Sequence, residues 1–182
     1  MKLFKKLAAA VLAAALALTM VGCGGNSYAV QDELLKIAID NLTDVGETVT
    51  HTTKADEMAA ALLAAADTAA GQMENKGVDA KELLQDPAVI KAAKIDLEKT
   101  PCMFNLIDVD SQIKSSGVMG EFLKMPRMME AAGLYRFERP GTGAFNPGEN
   151  DKIEIGAATH KIGDKSYTLI LLTYTKTTPS KI

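Results

Sequence analysis

The sequence predicts an α+β fold, with N-terminal helices packed on a small, mostly antiparallel sheet that ends in a C-terminal β-hairpin. Three observations carry this. Between residues 54 and 76 apolar side chains recur every three or four positions, the period of a helix with one buried face. Residues 102–109 are bounded by Pro101 and by acids and read as a buried strand. Between 153 and 174 two apolar runs flank Gly163-Asp164, a turn dipeptide. Helices first and paired strands last describe an α+β chain.

Taken in order, residues 31–42 place Leu34, Leu35, Ala38 and Leu42 on one helical face, with Gln31, Asp32 and Glu33 at its N-terminal end. A polar, Thr-rich stretch from Asp44 to Thr53 follows. The next helix is expected from Lys54 to Lys76, capped by Thr53, with Asp56 and Glu57 in its first turn and Gly77 as its stop. Met58, Leu62, Ala65, Ala69 and Met73 form its stripe, and its alanines permit close packing. A third helical segment carries two start signals, Asp79 with Glu82 and Asp86 before Pro87, and runs to Thr100-Pro101. A Met-rich amphipathic stretch, 118–132, is kinked at Pro126. Residues 134–138 alternate as a short strand, and Pro140 to Asn150 form a Gly/Pro/Asn-rich loop exposing Phe145. In the final hairpin the run from Tyr167 to Tyr174 is almost wholly apolar, which predicts a central strand covered on both faces.

The N-terminus predicts export. Lys2, Lys5 and Lys6 precede an apolar run from Leu7 to Val21 that ends at Gly22-Cys23-Gly24-Gly25, the layout of a secretory signal peptide. The run falls short of the roughly 18 apolar residues a retained membrane helix needs. Met20-Val21-Gly22-Cys23 resembles the lipobox of bacterial lipoproteins, with Met20 departing from the commoner leucine. The resemblance implies that Cys23 takes a diacylglycerol and that cleavage before it makes it the first mature residue. Two acyl chains anchor a protein stably where one does not. The expected organisation is a signal peptide at 1–22, a lipidated tether at 23–30 and a single extracytoplasmic domain at 31–182. The expected location is the outer face of the cell membrane, or the periplasm of a two-membrane cell.

About 160 residues then remain, enough for one domain with a real core and small for a two-lobed substrate-binding protein. Loss of three lysines leaves 17 basic against 23 acidic residues, a net charge of −6. Such a balance argues against nucleic-acid partners, which need phosphate neutralisation, and against electrostatic attraction to anionic lipid. With Cys23 lipidated, Cys102 is the only thiol left, so no intramolecular disulfide forms. It reads either as a free reactive thiol or as a buried small hydrophobe. Its neighbours Met103-Phe104-Asn105-Leu106-Ile107 favour burial.

Three stretches of the mature chain resemble the CAP/SCP-like extracellular domains, as a degenerate member. These are the helix–loop–helix of 34–70, the proline-containing run 121–134, and 153–174, where Ile155-Gly156-Ala157 matches that family's Ile-Gly-Val/Ile-Gly run. The resemblance implies an α-β-α sandwich. The family's cleft carries two histidines and two acids, with one histidine directly before an arginine. Here Arg127 follows Pro126, and Gly148-Glu149-Asn150 lies after the helix instead of before it. The resemblance therefore implies a cleft that has lost its usual residues.

Chemistry-bearing motifs are few. His51 and His160 are the only histidines, and with no His pair at helical spacing and no Cys-x-x-Cys no zinc site is expected. No phosphate-binding loop, dinucleotide fingerprint or nucleophile elbow is present, so neither cofactor nor metal is expected. Asp108-Val109-Asp110-Ser111 lacks the remaining ligands of a calcium loop. Met119, Met125, Met128 and Met129 read as sheet-packing residues or an adaptable apolar surface. The sequence thus predicts a membrane-anchored, non-enzymatic module that binds an unidentified envelope or extracellular partner, with no catalytic residue assigned. The alternative is a cell-surface hydrolase using Cys102, or carboxylates near His160.

Overall fold

The computed structural model describes residues 27–44, 46–72, 77–110, 137–141, 145–148 and 151–175. The signal peptide, Cys23, the Met-rich stretch with Pro126, the 121–134 family stretch and parts of the 140–150 loop lie outside the described residues.

The chain runs α1 (Ser27–Asp44), β1 (Val49–His51), α2 (Thr53–Ala70), α3 (Ala80–Gln85), α4 (Pro87–Ala92), β2 (Cys102–Asp108), β3 (Ile153–Ile162) and β4 (Lys165–Tyr174). The four strands form one sheet in the order β1-β3-β4-β2. β1 pairs with β3 in parallel, and β3–β4 and β4–β2 are antiparallel. This is the predicted α+β architecture with its C-terminal hairpin.

β4 sits inside the sheet and is covered on both faces, as its apolar run predicts. Leu169 and Leu171 face α2, α3 and α4 together with Phe104, Ala158 and Ile162. Ile170 and Leu172 face α1, packing with Leu34, Leu35, Ala38, Ile155 and Ala157. The alternation is the two-residue period of a strand read against two apolar layers. Helices therefore cover both faces of the sheet.

Helix boundaries differ from the sequence reading for local reasons. α1 begins at Ser27, inside the stretch expected to be tether, and Val30 is buried in the α1 face of the core. Gln31, Asp32 and Glu33 consequently lie past its first turn. α2 is capped by Thr52, whose hydroxyl accepts the Ala55 N–H at 3.2 Å, one residue before the expected cap. It stops at Gly71, short of Gly77, because the glycine after Ala70 is the first residue poorly suited to continue it. Both start signals of the third segment are used. Asp79 accepts from the Lys81 N–H at 2.8 Å and Asp86 from the Ala88 N–H at 2.7 Å, so the segment divides into α3 and α4.

α4 ends in a Schellman motif, with the Ile95 N–H bonded to the Ile90 carbonyl at 3.2 Å and the Lys94 N–H to that of Lys91 at 3.1 Å. Lys94 takes the left-handed position of this cap, φ 60°. The hairpin turn puts Gly163 at φ 60° in its first central position, as type II′ turns require. The short strand β1 was not foreseen, since three half-exposed residues carry no readable period. Of the strand expected at 134–138, Glu138 is described and exchanges two backbone hydrogen bonds with Phe104 at 2.7 and 2.8 Å.

Candidate functional site

The chemistry-bearing side chains gather where α2 crosses β3. Gly156 permits the crossing: a Cβ there would collide with the backbone of Ala55 and Asp56, so the helix N-terminus rests directly on the strand. Asp56 then reaches the outer edge of β3, where its Oδ1 accepts the Ala157 N–H at 2.8 Å. His51, at the end of β1, places Nε2 2.9 and 3.0 Å from the two oxygens of the same carboxylate. Three turns along α2 the pattern recurs. Asp67 accepts the Gly163 N–H at 3.0 Å, and His160 Nε2 lies 3.6 Å from its other oxygen. Both histidines thus face aspartates of α2 that fasten the helix to the backbone of the β3–β4 hairpin, Asp56 at Ala157 in the strand and Asp67 at Gly163 in the turn.

This geometry separates Cys102 from His160, while the one carboxylate it brings beside the histidine, that of Asp67, is bonded to the Gly163 N–H. Cys102 pairs across the ladder with Thr173 and His160 with Tyr167. Their partners are six residue steps apart on β4, about 20 Å of strand. A Cys102–His160 dyad is therefore not assembled. Cys102 is 4% exposed, among Phe104, Leu169 and Leu171. Burial pushes its thiol up to about 12, away from the thiolate that nucleophilic attack requires. Of its two sequence readings, the structure supports the buried hydrophobe.

Phe145 departs from its expected exposure. Its ring meets Tyr174 edge-on at 5.1 Å and packs on the α1 face of the core. The Tyr174 hydroxyl donates to the Asn146 carbonyl at 3.0 Å and accepts the Asn146 N–H at 3.3 Å, so β4 holds this part of the loop. The acids of the 108–111 run are also engaged: Asp110 accepts the Ser166 N–H at 2.8 Å and Asp108 lies 3.5 Å from the Lys165 ammonium. Among the described residues no group of three His, Cys, Asp or Glu side chains is placed to hold a metal ion.

One open cleft of about 210 Å³ lies between α2 and the segment from α4 to β2. Met58, Ala61 and Ile95 line it together with the charged Lys54, Glu57 and Lys94. Lys54 is tied to the sheet, donating to Thr175 Oγ1 at 3.0 Å and lying 3.4 Å from Glu154. Sequence reasoning did not find this cleft, because its walls come from segments some forty residues apart. No described helix is long and apolar enough to cross a membrane. Comparison of the chain with protein-family models, with curated proteins and with solved structures finds no match.

Proposed function

We propose that the protein is a bacterial lipoprotein, anchored through lipid on Cys23 at the extracytoplasmic face of the cell membrane, whose domain binds an envelope or extracellular partner without catalysing a reaction. The observation that carries the proposal is the leader: a cationic start, a short apolar run and Met20-Val21-Gly22-Cys23 in sequence. The engagement of His51 and His160 with structural aspartates, and the burial of Cys102, support a binding role over hydrolysis. Helices on both faces of the sheet support the likeness to the CAP/SCP-like domains, with their usual cleft residues replaced.

Fractionation of cells making the full chain tests the anchor. The parent is expected in the membrane fraction and Cys23→Ala in the soluble extracytoplasmic fraction. Retention of Cys23→Ala in the membrane would overturn it in favour of an uncleaved helix. Turnover of a defined envelope substrate, abolished by one polar substitution, would overturn the non-enzymatic reading.

A further inference from the structure

Helix α1 fixes where the chain enters the fold. Val30, Leu34, Leu35 and Ala38 bury it on one face of the sheet, and the Gln31 side chain donates to the Ala157 carbonyl at 3.1 Å. Near its other end the Leu42 carbonyl accepts the Glu47 N–H at 2.9 Å, just before Val49, which pairs with Ile153. α1 therefore runs antiparallel to β3. Ser27 precedes Gln31 by about 6 Å of helix, which brings it to about the level of Thr159, toward the hairpin turn. α2 covers the opposite face and runs the other way, with Ala55 and Asp56 over Gly156 and Asp67 at Gly163. The cleft lies on that face at the far end of the sheet. Lys54 on its wall reaches Glu154, and Thr100 just precedes Cys102, the partner of Thr173.

We propose that a short tether orients the domain on the membrane, with the corner between the start of α1 and the hairpin turn toward the bilayer and the cleft opening away from it. The proposal rests on the lipid anchor at Cys23. Between Cys23 and Ser27 lie only Gly24, Gly25 and Asn26. The chain therefore spans at most about 14 Å there, however those residues are arranged, and the thioether link to glycerol adds roughly one residue's length. With the cleft end down, the part of β3 from Ile153 to Thr159 would lift Ser27 about 20 Å above the bilayer, and the loops beyond Ile153 would add to that. With the α2 face down, the α2 layer and the sheet would raise it by about 20 Å as well. Each is longer than the tether and its linkage together. The corner of α1 and the hairpin turn is the part of the domain that such a tether brings to lipid.

Charge offers no competing hold. The corner exposes Asp32 in α1 and Lys161, Asp164 and Lys165 around the turn, which is no basic cluster for anionic lipid. Lys165 is also paired with Asp108 at 3.5 Å. The covalent length of the tether sets the pose. In that pose Glu57 and Lys94 on the walls of the cleft stand clear of lipid and face the envelope partner, while the hairpin turn is screened from it.

The test uses the full, lipidated chain in vesicles of phosphatidylcholine and phosphatidylglycerol that carry a spin-labelled headgroup as contact quencher. A fluorophore is attached to Asp164→Cys in the turn or to Glu57→Cys at the cleft, both exposed positions. Lipid blocks Cys23 and burial shields Cys102, so the introduced thiol takes the label. Co-flotation with the vesicles reads the anchor, and quenching reads the pose. The label at Asp164→Cys is expected to be quenched several-fold more than that at Glu57→Cys. About ten Gly/Ser residues inserted after Gly25 stretch the mean span of the tether to about 20 Å, and are expected to bring the two labels within about twofold of each other with flotation kept. Failure to float would overturn the anchor and the orientation with it. Flotation with equal quenching at the two positions, or with stronger quenching at Glu57→Cys, would overturn the orientation alone, as would a difference that survives the longer tether.

Discussion

Gly156 and Ala55 lie so close that a Cβ added to the glycine would stand 2.7 Å from the Cβ of the alanine, nearer than folded proteins tolerate. The other atoms it would meet are helix backbone, which cannot swing aside as a flexible side chain would. Gly156→Ala is therefore expected to force α2 away from β3 and to cost about 3 kcal/mol or more. Urea unfolding checks it: the midpoint should fall markedly, and an unchanged midpoint would mean that the crossing is looser than described.

Asp56 fastens the same crossing from the edge. Asp56→Ala leaves the Ala157 N–H without its acceptor and His51 without its carboxylate. Hydrogen bonds to charged groups are worth about 2 kcal/mol, and a loss of that order is expected. Hydrogen exchange locates it, since the Ala157 amide should lose protection while amides in the middle of β4 keep theirs.

Lys94 offers the opposite sign. A lysine in the left-handed region carries a cost of about 1–2 kcal/mol that glycine escapes, and this Schellman position favours glycine. Lys94→Gly should raise stability by about 1 kcal/mol, part of the gain being offset by the freer unfolded chain. A lowered thermal midpoint would show that the Lys94 side chain contributes more on the wall of the cleft than its backbone costs.

Cys102 predicts both reactivity and pH dependence. Held up at about 12 by burial, its thiol should resist alkylation at pH 8 in the folded protein and react once urea unfolds it. Because the folded pKa is raised, the contribution to stability is intact below the ordinary thiol range and is lost as pH rises from about 9 towards 12. The parent should therefore lose stability across that window more steeply than Cys102→Ala, by up to about 1.4 kcal/mol per pH unit.

Much of this was legible in local patterns. The two caps at Asp79 and Asp86, the Gly163 turn and the mostly apolar run of β4 are each patterns within a few residues, and each was readable as it stands. The boundaries that shifted were settled by competition between neighbours, as at Thr52 against Thr53 and Gly71 against Gly77. The candidate site was much less visible. His51 and Asp56 are close in sequence, yet what gives them a role is the Ala157 amide 101 residues from Asp56. Phe145 looked exposed because its loop is polar, and Tyr174, distant in sequence, helps to half-bury it.

The sequence by itself determined the fold class, the covered central strand and the expectation of a lipid anchor at Cys23, because periodicity, caps and a leader are properties of contiguous residues. Only the tertiary structure decided that Cys102 and His160 pair with opposite ends of β4 and that both histidines face aspartates of α2. Those outcomes depend on strand order and register, which are set by how distant apolar faces pack and not by any one segment.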